Sequence, residues 1–184
     1  MIISETALTL NTQAMLVNRT HIIKDVHLLK NILDRRLLMC KDMGKDTKVI
    51  ATSGGFDPLH VGHLRCIQDA AHLYPDNILV VIVNGDGFLE RKKGKPFMKL
   101  EERMEIIAGL SCVDYVVSWD DGSQFVSKCL EIIEPDIFAK GGDRSKPEDV
   151  PEYQICKKIG CEIVFNVGGG KIQSSSNLIK NVRT

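Results

Sequence analysis

Two histidines stand three residues apart in a glycine-rich segment, and together they could hold an anionic group. His60 and His63 come soon after the apolar run KVIATS (48–53), which has the composition of a buried strand. Gly54 and Gly55 permit a sharp turn after that run, and a further glycine between the histidines leaves space against the backbone. Side chains three residues apart on a helical turn point the same way, and helix N-termini attract anions. We interpret the segment as a cradle for phosphate groups, most naturally those of a triphosphate.

Metal binding is the main alternative for these histidines. Asp57 could serve as a third ligand, but no nearby cysteine, aspartate or glutamate completes a zinc set, so we predict no metal site. Incidental surface histidines are the other alternative. A glycine-rich turn immediately before two histidines that point the same way argues against it.

The elements that must position this segment alternate between strand and helix from residue 48 onward. We predict strands at 48–53, 78–83, 113–118, 135–140 and 161–167. We predict helices at 61–74, 100–110, 124–133, 151–159 and from 174 onward, with a glycine-rich basic loop at 84–98. This order predicts an α/β fold: a Rossmann-like, doubly wound, five-stranded parallel sheet. Ligands of such sheets bind beyond the carboxyl ends of the strands.

The first part of the chain has a different pattern. Apolar residues recur there at spacings of three and four, which is typical of one face of an amphipathic helix of about six turns. These residues are Ile22, Val26, Leu29, Leu33 and Leu37. We therefore divide the chain into an N-terminal helical extension (1–47) and a catalytic domain (48–184). The extension is interpreted as a dimer or packing element, and its removal is expected to leave the domain folded.

The composition of the chain excludes several classes of protein. The 184 residues include 24 Lys and Arg and 24 Asp and Glu, so no net charge attracts nucleic acid or a membrane surface. No apolar run approaches the length of a bilayer span, and the N-terminus lacks the pattern of a secretory signal. Six cysteines without a CxxC pair indicate reduced thiols. We expect a soluble cytoplasmic protein that binds neither nucleic acid nor membrane.

The segment GGFDPLHVGH resembles the HxGH signature of the nucleotidyltransferase superfamily of cytidylyl- and adenylyltransferases. The resemblance extends over about residues 48–184, through KGKPFMKLEERMEIIAGL, VDYVVSW, PDIFAKGGD and IQSSSNLI. The adenylyltransferases that activate heptose 1-phosphate are the most similar group, followed by the glycerol-3-phosphate cytidylyltransferases. The final motif departs from the family's usual Ser-Thr-Thr, because this chain has three serines.

The resemblance implies an enzyme that transfers NMP from ATP or CTP to a phosphorylated small molecule and releases pyrophosphate. The preferred acceptor is a sugar 1-phosphate of the heptose type, which implies a role in carbohydrate metabolism, and glycerol 3-phosphate is the alternative. Mg²⁺ would accompany the nucleotide, and a homo-oligomer is expected. A nucleotide-binding regulator that kept the fold and lost catalysis is a further alternative. A fragment of an aminoacyl-tRNA synthetase is disfavoured, because no KMSKS-like stretch is present.

The resemblance also implies roles for individual residues. The catalytic residues would be His60, His63, Lys92 and Arg103. The nucleotide-binding residues would be Gly54, Gly55, Phe56, Asp57, Lys140, Gly141, Gly142, Asp143, Ser174, Ser175 and Ser176. Asp86 and Lys95 would lie on the substrate side.

Several of these residues also have purely structural interpretations. The lysine run could be a solvated surface. Arg103 could be an exposed helix residue paired with Glu101 or Glu102. Asp143 could cap a turn, and the serines could cap the last helix.

Overall fold

Six parallel strands form one sheet in the order β1-β4-β3-β2-β5-β6. The description rests on a computed structural model in which residues 21–142, 146–147, 150–170 and 172–182 are described. The strands are β1 (His21–Ile23), β2 (Lys48–Gly54), β3 (Asn77–Asn84), β4 (Tyr115–Trp119), β5 (Ile137–Ala139) and β6 (Glu162–Val164). The sheet is thus of the predicted Rossmann-like class, but it has six strands and not five.

Helices follow the strands and cover both faces of the sheet. They are α1 (Val26–Asp42), α2 (Val61–Ala70), α3 (Asp86–Lys93), α4 (Leu100–Ala108), α5 (Ser127–Ile133), α6 (Tyr153–Ile159) and α7 (Ser175–Val182). No helix in these described ranges combines the length and the apolar character that crossing a bilayer requires.

Successive residues of β3 alternate between two apolar layers, as expected for a strand covered on both faces. Ile78 and Val80 pack in one layer with buried residues of α1, α5 and α6. Leu79 and Val81 pack in the other with buried residues of α2 and α4. The sheet is therefore doubly wound, and its carboxyl edge is left for ligands.

The sixth strand comes from the segment that we predicted to be wholly helical. Ile22 lies in β1, which pairs with β4 at the edge of the sheet, and not on the helix. The helix begins only at Val26, because the Asp25 carboxylate accepts the N–H groups of the first turn and acts as its N-cap. Leu29 and Leu33 are 0% and 1% exposed and belong to the core.

The N-terminal segment is therefore a packing element for this chain's own sheet. Residues 21–42 contribute a strand and a helix to the same sheet and the same core as the rest of the chain. The boundary between 1–47 and 48–184 stays a prediction. The expectation that the domain folds without residues 1–46 conflicts with the burial of Leu29 and Leu33, whose removal would open the core.

The segment 84–98 is not the continuous loop that its glycines and lysines predicted. It contains α3, which begins after Gly85 and ends at Lys93, immediately before Gly94, where φ is 86°. That dihedral angle lies in the region that glycine adopts without strain, so Gly94 stops the helix. Several predicted elements are also shorter than expected, most of all α2, which ends at Ala70, and β6, which ends at Val164.

Candidate active site

A cleft of about 410 Å³ opens at the carboxyl edge of the sheet above β2. Its walls come from the turn after β2, the first turns of α2 and α7, the C-terminal end of α3 and the loops that follow β5 and β6. The parallel strands bring these segments together because their carboxyl ends meet at one edge. The cleft has the size of a site for one small molecule of nucleotide dimensions.

The two histidines of the glycine-rich segment form a stacked pair in this cleft. Their ring centroids are 3.7 Å apart and the ring planes differ by 19°. His60 is the N-cap of α2, and its Nδ1 accepts the backbone N–H of His63 at 3.4 Å. The ring of Phe56 meets His63 edge-on, with centroids 5.1 Å apart. The two histidines thus lie together, as predicted. The backbone N–H of His63 fixes the ring of His60, and the ring of Phe56 packs against the ring of His63.

Both histidines are neutral near pH 7. Burial lowers the pKa of His60 below its usual value. Burial, the neighbouring His60 and the charge of Lys93 lower the pKa of His63 to about 4. Since Nδ1 of His60 accepts a hydrogen bond, the single proton of its neutral ring is on Nε2. The pair can therefore donate hydrogen bonds to an anion without placing two positive charges against each other.

Two buried polar atoms of the cleft have no hydrogen-bond partner within the described ranges. They are Nδ1 of His63 and Oδ1 of Asn84, the last residue of β3. Buried polar atoms are usually paired, so two orphaned atoms at one site point to a ligand or to bound water. Asn84 was not predicted, although a polar residue that ends a continuous apolar strand is a signal that could have identified it.

The glycines of the motif are required by close packing. A Cβ atom on Gly62 would lie 3.1 Å from Nδ1 and Cε1 of His60, and one on Gly55 would lie 2.8 Å from Leu89 Cδ2. Phe56 has a φ of 50°, which is rare for an aromatic residue. Gly54, Gly55 and Phe56 all line the cleft, where we predicted nucleotide binding.

Asp57 organises the chain around the motif. Its side chain is fully buried, and the carboxylate accepts the backbone N–H groups of Phe97 and Met98 and the ammonium of Lys93. Although burial favours the neutral acid, these donors hold the pKa of Asp57 below its usual value. A carboxylate engaged in this way is not free to bind a metal ion, which disfavours the alternative in which Asp57 is a ligand.

The lysines after β3 differ in their positions. Lys92 and Lys93, in the last turn of α3, line the cleft. The ammonium of Lys92 lies 5.9 Å from the ring centroid of Phe88. Lys95 is exposed and does not line the cleft. Lys92 and Lys93 thus lie in the cleft and Lys95 does not, whereas the phosphate contact of Lys92 stays a prediction.

We predicted that Arg103 reaches the cleft, but it does not line it. It is also not the exposed helix residue, paired with Glu101 or Glu102, that we considered as the alternative. It is 0% exposed. Its guanidinium donates to the carbonyl oxygens of Gly55 and Asn84 at 2.7 Å and to Asp86 Oδ1 at 2.6 Å. Arg103 is thus a positioning residue below the glycine turn.

Asp86 faces Arg103 and the N–H of Leu100, which is not the substrate-side position that we predicted for it.

The loop after β5 contributes backbone to the cleft. Gly141 and Gly142 line it, whereas the ammonium of Lys140 lies 3.4 Å from Glu152 Oε2 and over the ring of Phe138. Lys140 thus holds the base of the loop, which differs from its predicted nucleotide contact. Asp143 lies outside the described residues.

The three serines lie at the start of α7 and line the cleft. Ser174 Oγ accepts the N–H of Asn177 at 3.2 Å, which is the cap that we considered as the alternative. Ser175 Oγ donates to the carbonyl oxygen of Pro58 at 3.0 Å and joins α7 to the motif. The serines therefore lie in the cleft and also form the helix cap that we considered as the alternative, and their contact with phosphate stays a prediction.

Gly168 and Cys66 also position the walls of the cleft, and neither was among the predicted site residues. Gly168 has a φ of 85°, and a Cβ atom there would lie 2.5 Å from the backbone N of Cys66. A Cβ atom on Gly141 would lie 2.8 Å from Cys66 Sγ. The loops after β5 and β6 are thus both pressed against one residue of α2. The run of three glycines from Gly168 was the available signal.

The described part of the chain holds no group of three or more histidine, cysteine, aspartate or glutamate side chains that could bind a metal ion. Its donors toward the cleft are N–H, hydroxyl and ammonium groups, which suit phosphate oxygens.

Comparison with known proteins gives a consistent assignment. The sequence profile described as cytidylyltransferase-like matches residues 51–169, which include both histidines and most of the cleft. The bifunctional protein HldE of Citrifermentans bemidjiense is 37% identical over 143 residues, which are 77% of this chain and 27% of that protein. HldE of Hahella chejuensis is 40% identical over 118 residues, covering 63% of this chain and 24% of that protein.

A third relative, HldE of Geotalea uraniireducens, is 32% identical over 160 residues, covering 85% of this chain and 31% of that protein. The chain thus spans only about a quarter to a third of the length of these relatives. Among solved structures, a lipopolysaccharide core biosynthesis protein from Thermoplasma volcanium superposes with a TM-score of 0.55 at 27% identity. That match covers 64% of this chain and 94% of the other.

Proposed function

Because this chain belongs to the cytidylyltransferase-like family, as its sequence predicted, we propose that it is a nucleotidyltransferase that acts on a sugar phosphate. It transfers NMP from ATP or CTP to the phosphate of the acceptor and releases pyrophosphate. The preferred acceptor is a sugar 1-phosphate of the heptose type. The relatives named HldE and the neighbour named for lipopolysaccharide core biosynthesis support a sugar as the acceptor.

The observation that carries this proposal is the neutral, stacked pair of His60 and His63. The pair shares one cleft with the lysines of α3 and the serine turn of α7. A site built from neutral donors, ammonium groups and a helix N-terminus is complementary to the phosphates of a nucleotide.

The reaction follows from this arrangement. An oxygen of the acceptor phosphate attacks the α-phosphorus of the NTP, and the bond from that phosphorus to the bridging oxygen of the leaving group breaks. Pyrophosphate carries away the electron pair, so no covalent intermediate on the protein is required. The histidines donate hydrogen bonds to the α-phosphate as charge accumulates there, and Lys92 stabilises the leaving group.

The remaining residues hold the nucleotide in place. The turn Ser174–Ser176 binds the terminal phosphates, and the backbone at Gly141 and Gly142 approaches the nucleoside. Mg²⁺, bound to the phosphates as part of the substrate, neutralises their charge. Catalysis is then largely positioning and charge stabilisation.

We also propose that the enzyme works in the cytoplasm as a homo-oligomer and does not use nucleic acid. The balanced charge of the chain supports a small-molecule substrate. The homo-oligomeric state rests on the family resemblance, and the cytoplasmic location rests on the six cysteines without a CxxC pair, which indicate reduced thiols.

Pyrophosphate release tests the proposed function. ATP and CTP are each combined with heptose 1-phosphate, other sugar 1-phosphates and glycerol 3-phosphate. We expect one sugar 1-phosphate to give turnover, and we expect His63→Ala to lower it by about 10²–10³. His72→Ala is the matched control, because His72 lies just beyond the end of α2 and outside the cleft. Nucleotide binding without pyrophosphate release from any pair would instead indicate a regulator.

A further inference from the structure

The helix that carries the lysines of the cleft does not cap itself. Gly85 is the N-cap of α3 and has no side chain to accept a hydrogen bond from the first turn. The acceptor comes from Asp120, which follows β4. Its Oδ2 accepts the N–H of Phe88 at 2.8 Å. Phe88 is the third residue of α3, so Asp120 takes an amide that an N-cap side chain would normally take.

The two glycines at the start of α3 leave the space that Asp120 occupies. A Cβ atom on Gly85 would lie 2.6 Å from Asp120 Cβ, and one on Gly87 would lie 2.6 Å from Asp120 Oδ2. Neither position could carry a side chain without displacing the carboxylate. The glycines and the aspartate therefore fit together as one cap, although about 33 residues separate them in the chain.

The other carboxylate oxygen contacts a residue in the last turn of the same helix. Asp120 Oδ1 forms an ion pair with Arg91, which also donates to the carbonyl oxygen of Ser123 at 2.9 Å. Burial disfavours the charged carboxylate, but Arg91 and the N–H groups of Gly122 and Phe88 outweigh this and lower its pKa. The carboxylate is thus charged at neutral pH, which suits its place at the positive end of a helix.

The position of α3 determines where three of its side chains lie in the cleft. Leu89 packs against Gly55 of the motif, and Lys92 and Lys93 line the cleft one turn further along. Asp120 itself does not line that cleft.

We propose that Asp120 is a positioning residue for the nucleotide: by capping α3 from outside the cleft, it fixes the two lysines at the end of this helix, of which Lys92 binds the phosphates. The role of these lysines rests on the proposed function, whereas the cap does not.

The test compares Asp120→Ala, Asp120→Asn and Asp121→Ala. Asp121 is the matched control, since it belongs to the same loop but bonds Ser123 and Lys128 and not α3. Hydrogen exchange of the α3 amides is measured without substrate, and KM for the nucleotide is measured separately from kcat. Asp120→Ala should speed exchange of these amides and raise KM about tenfold, with kcat changed much less. Asp120→Asn keeps an acceptor for Phe88 and should recover KM to within about threefold of the wild type.

Unchanged exchange in α3 would overturn the cap, and faster exchange with an unchanged KM would overturn the link to the nucleotide. If Asp120→Ala does not fold, Asp120→Asn and Arg91→Met replace it. Asp120→Asn removes the charge of the capping side chain, whereas Arg91→Met removes only its ion pair. A wild-type protein that releases no pyrophosphate would refute the proposed function, yet exchange would still decide whether Asp120 caps α3. Binding of inorganic tripolyphosphate would then replace KM, with the same tenfold weakening expected for Asp120→Ala.

Discussion

The ammonium of Lys93 lies 3.0 Å from the carboxylate of Asp57 and donates to the carbonyl oxygen of the same residue at 2.8 Å. The Asp57 carboxylate is fully buried, and the side chain of Lys93 is 22% exposed. This pair joins the last turn of α3 to the glycine-rich motif, so the basic helix and the histidine segment form one unit.

The first prediction concerns that pair. Lys93→Ala should lower the free energy of unfolding by about 2 kcal/mol, because it leaves a buried carboxylate without its cation. Lys95→Ala is the control, since Lys95 is exposed and outside the cleft. Urea unfolding measures both variants, and equal stability of the two would contradict a structural role for the pair.

The second prediction separates neighbouring lysines by their use of nucleotide. Lys92→Ala should raise KM for the NTP about tenfold, whereas Lys95→Ala should leave it unchanged, because only Lys92 lines the cleft. The difference between wild type and Lys92→Ala should shrink as salt is added, since screening weakens the contact in the wild type. Equal KM values for the two variants would show that Lys92 is part of a solvated surface.

The third prediction concerns the glycine between the two histidines. Gly62→Ala places a Cβ atom 3.1 Å from the ring of His60, so the ring must move. We expect kcat to fall about ten- to hundredfold, as for a misplaced hydrogen-bond donor. Gly170 also lines the cleft, but a Cβ atom there meets nothing within 4 Å, so Gly170→Ala should be active. A fully active Gly62→Ala would show that the ring position of His60 does not matter.

The fourth prediction follows from the pKa of His63, which is about 4 in the folded protein against an ordinary value of 6.5. Between these values the unfolded chain binds more protons, so stability should rise with pH by up to about 3 kcal/mol across this interval. The lowered pKa of Asp57 affects stability only at lower pH, below the ordinary value of 3.8 for this carboxyl group. Urea unfolding at several pH values should show a smaller rise for His63→Gln. An identical rise would show that His63 titrates normally.

The fifth prediction replaces the expectation that the N-terminal helix is dispensable. Leu33→Ala should cost about 2–5 kcal/mol, because Leu33 is 1% exposed and its removal leaves a cavity in the core. Leu38→Ala, at a residue 60% exposed on the same helix, should cost less than about 0.5 kcal/mol. Similar thermal unfolding of the two variants would show that α1 does not support the sheet.

Much of the fold was predictable because its signals are local. The alternation of apolar runs with helical stretches predicted the doubly wound sheet, and the glycine turn with His60 and His63 predicted the centre of the cleft. The strand β1 was missed because three residues become a strand only by pairing with β4, and Ile22 stands four residues before Val26, as on a helix.

The remaining misses share a cause. Glycines at both ends of α3 indicated a loop, but Asp120, distant in sequence, supplies the missing cap. The position of Arg103 depends on carbonyl oxygens of two other segments, those of Gly55 and Asn84. A family resemblance aligns such a residue without showing which way its side chain points.

The fate of the nucleotide's phosphorus atoms tests the central claim most directly. The protein is incubated with a sugar 1-phosphate and with NTP labelled with ³²P at either the α- or the γ-phosphate. Our account predicts that the α-label appears in the sugar product and the γ-label only in pyrophosphate. Transfer of the γ-label to the sugar, or retention of both labels in a bound but unreacted nucleotide, would contradict it.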